Sequence, residues 1–65
     1  MRISMKQARI GANLTQAQIA EKMNIHAQTY AKIEKHPGSA TIDQALLFSK
    51  ITGVSIDDIF FADKL

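Results

Sequence analysis

Apolar positions in this chain return at the helical period, and no strand-length stretch alternates apolar with polar between turns. Four of these stretches open on the same polar signal. Ser4 precedes Gln7, Thr15 precedes Gln18, Thr41 precedes Gln44 and Ser55 precedes Asp58. A hydroxyl there accepts an N–H that the helix start leaves unpaired, and an amide or acid three residues on returns the bond. Gly11 with Asn13, then Asn24, then Gly53 fall where helices should stop. Glycine tolerates the positive φ of such ends best, and asparagine next. His36-Pro37-Gly38-Ser39 reads as a loop, because Pro37 cannot continue a helix. The pattern predicts an all-α fold of five helices, spanning about Ser4–Ala12, Gln16–Met23, Ala27–Lys35, Ile42–Thr52 and Ile56–Phe60.

The connection between the second and third helices is short. Met23-Asn24-Ile25-His26 leaves too little chain to lay two helices antiparallel along each other. It favours the steep crossing of a helix-turn-helix. The third helix then has two faces. At the helical period Ala27, Gln28, Ala31, Lys32 and Lys35 share an arc of about 140°, while Tyr30 and Ile33 lie opposite and face the core. The outer arc holds small residues, one amide and two cations, with no carboxylate. Small residues let a helix approach the floor of a DNA major groove. Gln28 can pair with an adenine edge, Ala27 can touch a thymine methyl, and Lys32 can reach a guanine edge or a phosphate. Lys35 is expected on a phosphate, adding affinity without sequence information. An ordinary solvated face would also accept alanine, glutamine and lysine; the turn beside it favours the DNA reading.

Charge distribution points the same way. Net charge is only +2. Residues 1–36 nevertheless carry Arg2, Lys6, Arg9, Lys22, Lys32 and Lys35 against Glu21 and Glu34, and the remainder carries Lys50 and Lys64 against four aspartates. A basic half beside an acidic half suggests one face for a polyanion. Sixty-five residues are expected to form one domain, with a core that buries only about 60% of the unfolded surface. Without cysteine there is no disulfide and no thiolate metal site, and His26 and His36 lack partners at ligand spacing, so no metal or cofactor is expected. The longest apolar runs, Ala45–Phe48 and Ile59–Ala62, are far too short for a bilayer, and no signal peptide is visible; a cytoplasmic protein is expected. Asp57 and Asp58 look like an acid pair, but they fall in the first turn of a predicted helix, where carboxylates suit the dipole. No phosphate cradle, nucleophile elbow or Ser-His-Asp set is present, and an enzyme is not expected.

The run Leu14-Thr15-Gln16-Ala17-Gln18-Ile19-Ala20-Glu21-Lys22-Met23-Asn24-Ile25-His26-Ala27-Gln28-Thr29-Tyr30-Ala31-Lys32-Ile33-Glu34-Lys35 resembles the helix-turn-helix of the lambda-type phage repressor and Cro family, the Xre-type regulators. The likeness continues through Thr41-Ile42-Asp43 to Gly53-Val54-Ser55-Ile56-Asp57-Asp58-Ile59-Phe60. It implies a five-helix lambda-repressor-like domain in which helices 2 and 3 form the reading unit. It implies that Gln16 contacts a backbone phosphate, that Ala20 lets the two helices cross closely, and that Ala27, Gln28 and Lys32 read bases. Arg9 would otherwise look like another DNA contact; the resemblance makes it the partner of Glu34 in an ion pair. The chain departs from the common pattern at Asn24 in the turn, at His26 where a Ser or Thr usually caps, at Tyr30 in place of a smaller β-branched residue, and around Ala45, Phe48 and Ser49. His26 and the Tyr30 hydroxyl are expected at phosphates. So are Ser39 and Thr41, where loop and helix-start N–H groups could also bind one, with Thr41 capping as well.

Phe60 is expected in the core. Phe61 and Leu65 either extend that core or supply a dimer surface. The expected partners are double-stranded operator DNA and a second copy of the chain, with no membrane and no small-molecule ligand. The implied activity is transcriptional repression by promoter occupancy, in the manner of a Cro-like phage, prophage or plasmid regulator. The alternative is an antitoxin-like module that binds another protein and for which the groove-facing residues are dispensable.

Overall fold

The computed structural model describes residues 3–61, the side chains of residues 60 and 61 excepted. Four α-helices form where the sequence pattern places them, three of them behind capping signals: α1 (Met5–Gly11), α2 (Gln16–Lys22), α3 (Ala27–Lys35) and α4 (Ile42–Thr52). At Ser4, Thr15 and Thr41 the full reciprocal box is closed. Each hydroxyl accepts the N–H three residues on, at 3.0–3.1 Å, and the Gln7, Gln18 or Gln44 side chain accepts the cap's own N–H at 2.9 Å. Caps of this kind are each worth about 1 kcal/mol.

Two elements differ from the sequence expectation. Pro37–Ser39 winds into a single 3-10 turn rather than an open loop, with Pro37 at its first position and the His36 carbonyl accepting the Ser39 N–H at 2.9 Å. The fifth helix is a five-residue π turn, Asp57–Phe61. So short a segment gains little from its own hydrogen-bond ladder. Its form follows tertiary contacts: Ile59 is buried, and the Asp58 carbonyl accepts the Ile3 N–H at 3.1 Å.

Helix ends explain how α1, α2 and α3 are aimed. Asn13 and Asn24 both take positive φ, 61° and 59°. After α1 the Leu14 N–H returns to Arg9 and the Asn13 N–H to Ile10; after α2 the Ile25 N–H returns to Ala20 and the Asn24 N–H to Glu21. These are two Schellman closures, each pivoting on a left-handed asparagine. Gly11 does not serve this purpose; it stays in α1, and Gly53 is the glycine with positive φ, at the end of α4.

The core gathers Met5, Ala8, Ile19, Ala20, Met23, Tyr30, Ile33, Ala45, Phe48 and Ile59. Tyr30 and Phe48 are wholly buried, with ring centroids 6.2 Å apart and planes 21° apart. Tyr30 thus faces inward from α3, as its angular position requires, and meets α4. Ala20 is also buried, and α2 packs more closely with α3 than with any other element. A larger side chain at Ala20 would push the two helices apart. Among the described residues no helix is long and apolar enough to cross a membrane.

Candidate nucleic-acid interface

With Tyr30 and Ile33 anchored in the core, the opposite side of α3 is presented to solvent. Ala27, Gln28, Lys32 and Lys35 are exposed, Ala31 is half-buried between them, and Thr29 is exposed at the edge of the same surface. Among the described residues nothing covers Gln28 or Lys32, so a duplex can reach both. His26 is exposed at the N-cap of α3 and makes no side-chain capping bond. The first N–H groups of α3 are therefore left for solvent or for an anion.

An ionic clamp fixes the other end of α3. Arg9 Nε donates to Glu34 Oε2 at 2.9 Å and Arg9 Nη2 to Glu34 Oε1 at 3.3 Å, while Nη1 donates to the Leu14 carbonyl at 3.0 Å. The two side chains are only 12% and 10% exposed. Arg9 is thus fully engaged inside the protein and joins α1, the turn after it and α3. Burial pushes the Glu34 carboxyl up, but the Arg9 guanidinium, the neighbouring Tyr30 hydroxyl and the Gln16 amide together outweigh it and hold its pKa below the ordinary value. Gln16 is exposed at the start of α2, and its Nε2 donates to Glu34 Oε1 at 3.2 Å. Its second amide hydrogen is left to point outward. The clamp therefore also orients Gln16 beside α3.

Tyr30 cannot take the phosphate role expected of it. Its side chain is inaccessible, and its hydroxyl completes no hydrogen bond. Burial, followed by the nearby Glu34 carboxylate, pushes the phenol's pKa well up. An unpaired buried hydroxyl costs about 1–3 kcal/mol. Tyr30→Phe removes that cost together with the hydroxyl's support of the Glu34 carboxylate, so it is expected to move the thermal midpoint by the equivalent of less than about 1 kcal/mol and to leave DNA affinity unchanged. A melting curve and a titration with duplex DNA check both halves.

The segment before α4 is more occupied than expected. Ser39 Oγ donates to the His36 carbonyl at 2.7 Å. The Ser39, Ala40 and Thr41 N–H groups are all bonded within the chain, to His36, Pro37 and Gln44. A phosphate there would meet the Thr41 hydroxyl, which accepts from Gln44 and keeps its own proton to donate. Ser39 and its loop N–H groups would have to give up existing bonds first. Phe61's side chain and Leu65, the expected dimer candidates, and the Phe60 side chain lie outside the described residues.

Lys6 joins this surface without having been singled out from the sequence. With Gln16, Ala31, Lys32, Glu34 and Lys35 it lines an open groove of about 400 Å³. The signal was available. Lys6 lies three residues before Arg9, so both share one side of α1, and the side that Arg9 ties to α3 must carry Lys6 with it. Because the Glu34 carboxylate turns inward to Arg9, three lysines set the sign of the groove.

A short turn joining two packed helices, with an exposed, lysine-flanked face on the second, is the arrangement of a helix-turn-helix protein. The helix-turn-helix family model matches residues 5–59, and the chain belongs to that family. An uncharacterised HTH-type transcriptional regulator of Methanocaldococcus jannaschii is 37% identical over 60 residues, which cover 92% of this chain and 91% of that protein. No solved structure matches the chain.

Proposed function

We propose that this chain is a DNA-binding transcriptional regulator that represses by occupying an operator, reading the major groove with α3. The observation that carries the reading is the uncovered Ala27, Gln28 and Lys32 surface, held outward by Tyr30 and Ile33 in the core. Family membership and the regulator relative support it. Gln16, Lys35, Lys6, His26 and Thr41 serve as backbone contacts that set the register. Binding involves no catalysis, and acts on double-stranded DNA in the cytoplasm. One module of this size buries roughly 600–1,000 Å² on DNA, which is modest, so two copies on half-sites about one helical turn apart form the working unit.

Selection of bound sequences from a random duplex pool tests the reading directly, because it reports binding, half-site symmetry and base preference at once. On the selected site, Gln28→Ala is expected to lose about 1–3 kcal/mol and to relax preference at one base position. Lys35→Ala is expected to weaken all sequences evenly and to lower the salt slope by about 1. A Gln28→Ala protein that loses equally on random DNA removes the base-reading role.

A further inference from the structure

The face of α4 turned away from the core is unusually apolar for a solvated helix. Ile42 is 76% exposed, Leu46 54% and Leu47 36%. Asp43 and Lys50 are exposed on the same face, and among the described residues neither forms an ion pair. At the helical period Leu46, Lys50, Asp43 and Leu47 fall within about 100° of arc, with Ile42 at its margin. Their order along the helix matters more than their number. The midpoint between Asp43 and Lys50 is also the midpoint between Leu46 and Leu47, so the face carries acid, two leucines and base symmetrically about its centre.

Such a face is complementary to itself. A two-fold axis through its centre, with a second α4 running antiparallel, sets Asp43 of each copy against Lys50 of the other. The two leucines of one copy then close on the two of its mate. This is the defining property of an isologous contact, in which one patch serves both sides. A parallel arrangement would set like charges together. We infer that α4 is a dimerisation surface whose occupant is a second copy of this chain, packed antiparallel through Leu46 and Leu47 and held in register by reciprocal Asp43–Lys50 pairs. The inference assigns the contact to α4 rather than to Phe61 and Leu65. Eleven residues of helix span only about 16 Å. The contact is therefore smaller than the roughly 800 Å² per partner of a stable complex, and the dimer is weak when free.

Sedimentation equilibrium of the full chain without DNA, carried to about 1 mM, tests it; failure there leaves the DNA reading untouched. The wild type is expected to dimerise reversibly, and Leu46→Glu to remain monomeric. Asp43→Lys gives a face with two cations and Lys50→Asp one with two anions. Each alone is expected to raise the dissociation constant at least about tenfold, and an equimolar mixture of the two to recover wild-type association. All three changes lie on the surface, and helical circular dichroism verifies that each variant is folded. A wild type that stays monomeric throughout overturns the inference. So does a dimer indifferent to Leu46→Glu, or single charge variants that fail to recover on mixing.

Discussion

Phe48→Ala is expected to leave most of the protein unfolded at physiological temperature. Phe48 is wholly buried and stacked on the equally buried Tyr30, so it ties α4 to the back of α3. Truncating such a ring costs about 3–5 kcal/mol, through lost transfer energy and the cavity left behind. A chain of this length has roughly 3–10 kcal/mol in all. The ring lost is therefore comparable with the whole margin of stability. Leu47→Ala, one residue away but facing solvent, is expected within about 0.5 kcal/mol of wild type. Urea or thermal melts followed by circular dichroism compare the two directly, and similar midpoints would contradict the packing described. Any loss of DNA binding in Phe48→Ala should follow the fraction unfolded.

Glu34→Ala is expected to be nearly as damaging, for an electrostatic reason. It leaves the Arg9 guanidinium in a largely covered position with no counter-charge. Breaking one side of such a pair costs about 3–5 kcal/mol, even though the intact pair adds little over an apolar substitute. Lys35→Ala, next in sequence, should change the melting midpoint hardly at all. The same clamp sets an acid limb. The Glu34 pKa is lower in the folded chain than its ordinary value of 4.5. Its contribution is thus complete above about pH 4.5 and is lost as pH falls through the depressed native value. Glu34→Gln should show a flatter loss of stability with acid across that window. An unchanged acid limb would show that Glu34 is not the titrating group.

How much of this was legible in the sequence depends on how local each cause is. Capping boxes act over three residues, and those at Ser4, Thr15 and Thr41 formed as written, whereas the Ser55 hydroxyl accepts the Asp57 N–H, two residues on. Asn24 took positive φ because the turn allows few other residues to do so. The outward set on α3 followed from angular position once Tyr30 and Ile33 were assigned to the core. The Arg9–Glu34 pair spans twenty-five residues and was accessible only through resemblance, since no local rule joins α1 to the end of α3. Tyr30 shows the limit of angular reasoning. Its direction was evident, but not that burial would reach its hydroxyl, because that depends on the Arg9–Glu34 pair closing beside it. Ser39 is less available to a phosphate than its loop suggests, for a similar reason. A loop that looks open in sequence had wound into a 3-10 turn whose hydroxyl and N–H groups already had partners. Lys6 was overlooked because its role comes from Arg9's attachment and not from its own surroundings.

The bond from the Ile3 N–H to the Asp58 carbonyl has a consequence for how the protein frays. It stitches Ile3 to the turn Asp57–Phe61, so the two ends of the described backbone share one seam. Removing Ile3, or the chain from Asp58 on, opens that seam for both partners. The two extremities should therefore exchange their amide hydrogens as a single unit, ahead of the clamp and the ring stack at the centre.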